Sequence, residues 1–217
     1  MPRNLVTAVW VMMPLWAISE TSNWDRNYAA GLAAYDDGCY SDAVAPLSAA
    51  VEQAKAFHEP DVRYVQSTHT LALVYHAQGR FDLAEQLFLE ARRTVEAMGA
   101  QGRPLLGYVL DGLGDMLLDQ GRWQEAEPLL RQAIALCGAT HGAAHPCTLT
   151  ATRHLGELMT AQESKEAEAL FQNLIATARQ ARSLPKDFLA TSLGNLASYY
   201  VASGRYEPAE RLLKESL

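Results

Sequence analysis

The phrase GRWQEAEPLL, beginning at Gly121, has two near copies in the same chain: GRFDLAEQLF from Gly79 and GRYEPAERLL from Gly204. A motif that carries chemistry seldom occurs three times in a short chain, whereas a stacked structural unit repeats by construction. Aligning on one alanine extends the series to five anchors, Ala43, Ala84, Ala126, Ala167 and Ala209, spaced by 41, 42, 41 and 42 residues. Twelve residues before four of them stands a small residue, Gly31, Ala72, Gly114 or Ala197. The fourth copy has Gly156 eleven before its anchor, so it has lost one residue, expected in its turn. A glycine recurs five before the anchor (Gly38, Gly79, Gly121, Gly204), and an aromatic follows two later (Tyr40, Phe81, Trp123, Tyr206). Four after each anchor comes a large apolar residue: Leu47, Phe88, Leu130, Phe171 or Leu213.

Each copy therefore predicts two helices joined by a tight turn. The first carries an apolar stripe with one small residue as a notch. The glycine supplies the left-handed residue that ends it. The second starts near the aromatic and is expected to bring its alanine to the notch. One such pair cannot bury both of its apolar faces, so pairs must stack. Repeats are expected at about 24–57, 65–98, 107–140, 149–181 and 190–217, with MGAQGRP (98–104) as the clearest break between them. AQESKEAEALF (161–171) lacks both the turn glycine and the aromatic, which predicts a shorter or irregular turn.

The pattern Leu, Gly or Ala, two residues, Tyr, then Gly-Arg-aromatic, two residues, Ala resembles the tetratricopeptide-repeat (TPR) family, as in LALVY (71–75) and NLASYY (195–200). The long interval, and the link THGAAHPCT (140–148), are similar to repeats of the kinesin-light-chain type. The resemblance covers about residues 24–217. It implies an all-α fold, a right-handed α-solenoid of about five helix-turn-helix repeats, with the first helices lining a concave groove.

Composition narrows the partners. The chain has 217 residues, 49% apolar and 20% charged, which suits a folded core. A net charge of −7 disfavours nucleic acid, whose backbone is bound by clustered Lys and Arg. At the N-terminus, Arg3 precedes the uncharged run Leu5–Ile18 and the small residues Ala17 and Ser19, the pattern of a secretory signal peptide over residues 1–19. That reading predicts a periplasmic or secreted protein. The alternatives are an uncleaved membrane anchor or a buried first helix. In an exported chain Cys137 and Cys147 are candidates for a disulfide, leaving Cys39 free. The other state is three reduced cysteines packed as small apolar residues.

Chemistry finds little support. No G-x-S-x-G, H-E-x-x-H, P-loop or dinucleotide glycine motif occurs, so no enzyme and no cofactor is expected. Cys137, His141, His145 and Cys147 are all zinc-ligand types within eleven residues. Yet the paired C-x₂-C spacing is absent and His145-Pro146 already belongs to the link, so no metal is expected.

Binding is the better expectation. The stripe one turn from the core of each first helix is predicted to face the groove: Asp25, Tyr28 and Leu32; Gln66, His69, Leu73 and His76; Tyr108, Asp111 and Asp115; Arg153, His154 and Glu157; Thr191, Asn195 and Ser198. Asp111 and Asp115 lie four apart with like charge, which a Lys or Arg of the partner would relieve. A protein or peptide segment, basic near repeat three, is the expected ligand. Self-association through the last repeat is the alternative. The Lys and Asn set with which TPR domains clamp a C-terminal carboxylate is not matched, and the asparagine of kinesin-light-chain-type grooves is matched only by Asn195.

Overall fold

The computed structural model describes residues 22–57, 61–181, 184–185 and 187–216. The leader expected at 1–19 lies outside the described residues. Among these, ten α-helices and no strand occur. They run α1 (Asn23–Asp36), α2 (Tyr40–Ala54), α3 (Val62–Ala77), α4 (Phe81–Ala97), α5 (Arg103–Asp119), α6 (Trp123–His141), α7 (Pro146–Ala161), α8 (Glu166–Gln180), α9 (Phe188–Ala202) and α10 (Tyr206–Glu215). These are the five expected pairs, with first helices starting one to four residues earlier than the repeat register alone places them. No helix among the described residues is long and apolar enough to cross a membrane.

The described residues fall into two compact units, one ending at Gly112 and the other beginning at Leu113. The boundary lies inside α5. The glycine-rich stretch at 98–104 falls between the helix pairs of repeats two and three and carries a 3-10 turn, Gly99–Gln101, that leads into α5.

Three of the first helices start on side-chain caps. Ser22 and Asp25 form a reciprocal capping box at α1. Asp61 Oδ1 accepts from the Arg63 amide at α3. His145 Nδ1 accepts from the Cys147 amide at α7, with Pro146 in the first turn. The second helices have no such caps. What positions them is the turn before, in which a left-handed residue is followed by an amide that bonds five residues back: Cys39 to Ala34, Arg80 to Tyr75, Arg122 to Leu117 and Arg205 to Tyr200, at 2.7–2.9 Å. The arginine of the recurring phrase then lies over the preceding tyrosine, Arg80 over Tyr75 at 4.5 Å and Arg205 over Tyr200 at 4.4 Å. Repeat three has Leu117 in place of that tyrosine, and Arg122 pairs with Glu125 instead.

Repeat four corrects the expectation of an irregular turn. Glu163 takes the left-handed position (φ 55°), and the Ser164 amide bonds Met159 O at 2.8 Å as in the other copies. The missing residue is lost after the turn, where α8 begins. A side chain with a Cβ costs roughly 1 kcal/mol there. Glu163→Gly is therefore expected to stabilise the protein by about 1 kcal/mol in urea unfolding; no gain would show that the turn carries no such cost.

The notch also needs correcting. A Cβ built on Gly31, Gly114 or Gly156 would lie 2.4, 2.7 or 2.6 Å from Leu47, Leu130 or Phe171. The large residue four after the anchor, not the anchor alanine, is what sinks into the notch. All five anchor alanines are nonetheless buried, which lets the paired backbones approach.

Candidate ligand surface on the first helices

In the first unit the predicted stripe lies on α1, α3 and the opening turns of α5. Tyr28 stacks on Trp24, centroids 5.0 Å apart, and its Oη shares a 3.2 Å hydrogen bond with Thr70 Oγ1 on α3. Trp24 Nε1 donates to Ser67 Oγ at 2.9 Å. Burial pushes the Tyr28 phenol up, which the bond from Thr70 partly offsets. Gln66 on α3 is half-buried, while Asp25 is exposed and engaged in the α1 cap.

His69 is held differently from a solvated surface residue. Its Nε2 donates toward Tyr108 O at 3.2 Å, and its ring meets Phe88 edge-on at 5.7 Å. Gly112 makes room: a Cβ there would stand 2.7 Å from Phe88 and 3.2 Å from His69 Nε2. Burial lowers the imidazole pKa to about 4, against the upward pull of the Tyr108 carbonyl and of Asp111. His69 is thus neutral at physiological pH and presents no charge to a ligand. Tyr108 is half-buried, its phenol pushed up to about 12 by burial, and Asp111 is half-buried beside it on the helix. His76 sits near the turn, its ring 5.9 Å from Phe81.

In the second unit the predicted residues converge. Arg153 pairs with Glu157 one turn along α7, and both side chains keep only 11% and 13% exposure, so the pair is largely shielded from water. Arg153 Nη2 lies 2.6 Å from His154 Nε2. Asp115 Oδ1 on α5 stands 3.6 Å from that same nitrogen. From α9, Asn195 Nδ2 donates to Glu157 Oε1 at 2.6 Å. Five residues from three first helices thus share one polar network. Ser198 is exposed, its Oγ donating to Gly194 O at 3.0 Å.

The tetratricopeptide-repeat family model matches residues 21–97, 106–180 and 159–217. The chain belongs to the tetratricopeptide-repeat family. Its fold is similar to that of BtubC (BKLC) from P. vanneervenii, at 16% identity and TM-score 0.74 over 88% of this chain and 77% of that one. It is also similar to a Podosopora anserina putative kinesin light chain with nearly identical TPR-like repeats, at 23% identity and TM-score 0.70 over 91% and 95%. A third likeness is to pilF of Pseudomonas aeruginosa, at 18% identity and TM-score 0.63 over 90% and 77%. These identities speak for the fold alone. No curated protein matches the sequence.

Within this TPR chain the link between repeats three and four carries the second polar cluster. Cys137 and Cys147 are disulfide-bonded, Cα atoms 5.7 Å apart, and both are buried. His141 and His145 stack at 4.4 Å, and burial together with His141 holds the His145 pKa down. No group of three or more metal-ligating side chains comes together among the described residues. Cys39 is free and exposed.

Two contributors escaped the stripe rule. Trp24 and Thr70 fix Tyr28, yet an apolar indole and a small hydroxyl one position off the stripe look like core. The four-residue spacing of Trp24 and Tyr28 was the available signal, since such neighbours meet on one helix face.

Proposed function

We propose that this TPR chain is a non-catalytic interaction scaffold that binds an extended protein or peptide segment along the first-helix faces, in the groove such arrays present. The observation that carries the reading is the second unit's network, in which Asp115, His154, Arg153, Glu157 and Asn195 hold one another at fixed spacing on three first helices. A surface whose polar groups are already ordered loses little freedom when a ligand docks. The family supports the same reading, because helical repeats build extended ligand surfaces.

The ligand contributes Lys or Arg to the second unit, where two carboxylates accompany one guanidinium. The protein works outside the cytoplasm after removal of residues 1–19. Support comes from the buried Cys137–Cys147 bridge, since such bonds persist in oxidising compartments.

A second reading, self-association through α9 and α10, is favoured by the exposure of Val201, Tyr206 and Leu213. Leu213 is 47% exposed, while its counterparts Leu47, Phe88, Leu130 and Phe171 are fully buried. Crosslinking capture separates the two. A variant carrying Gln66→Ala, Asp111→Ala, Asn195→Ala and Ser198→Ala should stay folded by circular dichroism and lose the captured partner. Capture only of a second copy, abolished by Leu213→Glu, would favour self-association.

A further inference from the structure

The first unit carries a cavity of about 250 Å³, walled by α2 and α4 over α3, that no residue of the predicted stripe lines. Val51 and Leu71 are its buried floor, and Leu87 and the Tyr75 ring are half-buried beside them. Its charged residues are Glu52, Lys55 and Glu90, a formal charge of −1. Tyr64 Oη donates to Glu90 Oε1, and Lys55 Nζ donates to Glu52 at 2.8 Å. Pockets for whole small molecules start at about 300 Å³, so this space suits a single side chain better.

The second unit holds a closed copy of the same arrangement. Counted from the anchor alanines, Ser48, Glu52 and Lys55 correspond to Gln172, Ala176 and Arg179 on α8, and Glu90 corresponds to Glu215 on α10. There Gln172 Nε2 reaches Tyr200 Oη, the counterpart of the Tyr75 phenol, at 3.3 Å, and Arg179 pairs with Glu215. In the first unit Ser48 is shorter than that glutamine, and Glu52, where the other copy has alanine, draws Lys55 to itself. Among the described residues no Lys or Arg then pairs with Glu90, although its counterpart has one. We propose that this cavity is a second binding site, which takes an arginine side chain from a partner segment. The methylene stem lies on Leu71 and Leu87, and the guanidinium reaches Glu90 beside the Tyr64 ring. Arginine fits better than lysine because its planar fork matches a carboxylate and stacks on an aromatic face. The chain already makes both contacts elsewhere, Arg179 with Glu215 and Arg80 over Tyr75.

The test uses the full chain and two peptides, acetyl-Ala-Arg-Ala-amide and the same peptide with citrulline, an uncharged isostere of arginine. Binding is followed by NMR at the side-chain amides of Gln86, in the cavity wall, and of Asn195, in the second unit. The arginine peptide should move the Gln86 signal and bind about tenfold more tightly than the citrulline peptide. Glu90→Gln, which can still accept from Tyr64, should remove most of that difference. Ser48→Gln, the residue of the closed copy, should abolish binding, and Lys55→Ala, which removes the competing cation, should tighten it several-fold. If Ser48→Gln fails to fold by circular dichroism, Lys55→Ala at its exposed position decides in its place. No response at Gln86, equal binding of the two peptides, or arginine binding unmoved by these substitutions overturns the site. A response at Asn195 without one at Gln86 overturns it too, and leaves the first-helix reading standing.

Discussion

Gly156→Val is expected to lower the unfolding free energy by about 3 kcal/mol, the upper end for overfilling a packed core. A Cβ at this position stands 2.6 Å from the Phe171 ring, and Phe171 is fully buried with no exposed direction in which to retreat. The helix backbones must then separate, and the anchor Ala167 beside them loses its close packing. The urea midpoint measures the loss. Shrinking the partner should recover part of it, so the double variant Gly156→Ala with Phe171→Leu should be more stable than the sum of the two single losses. Additive losses would mean that Gly156 and Phe171 do not form one knob and notch.

Removing the bridge is the second large effect. Replacing both Cys137 and Cys147 by alanine should cost about 3 kcal/mol, because the bond closes a short loop that the unfolded chain otherwise leaves free. The two residues are 10 apart and join the end of α6 to the start of α7. Alanine leaves no unpaired polar atom at these buried positions, so the loss reports the cross-link with a small packing contribution. Protein prepared under oxidising conditions should show one reactive thiol per chain, Cys39, without denaturant. An unchanged urea midpoint in the alanine pair, or three reactive thiols, would contradict the bridge.

The helix pairs were legible because the repeat imposes the same turn each time. A left-handed glycine and an amide bonding five residues back leave the same mark at Gly38, Gly79, Gly121 and Gly204. Repeat four broke the mark but not the geometry, since Glu163 accepts the conformation at an energetic cost that no sequence pattern displays. The notch was legible as a small residue, but its occupant was not. Alanine and the large residue four later lie on the same helix face, and only the approach of the two helices decides which one enters.

The candidate surface was readable as a list and unreadable as a network. Asp115, Arg153, His154, Glu157 and Asn195 all follow from one stripe rule, yet their pairing depends on the vertical offset between α5, α7 and α9, which repeat spacing does not specify. His69 shows the opposite failure. It lies on the same stripe, but Gly112 and Phe88 form a recess that draws its ring inward. Small residues on the next helix were the only signal for that.

The most direct test of the account is a photo-crosslinking amino acid placed singly at Gln66, Ser198, Trp123 or Leu89 of the full chain. Gln66 and Ser198 lie on first helices, whereas Trp123 and Leu89 are exposed on second helices. The account predicts that one extended partner is captured from Gln66 and Ser198, and that Trp123 and Leu89 do not capture it. Capture from Trp123 and Leu89 with silence at the first-helix positions would contradict it.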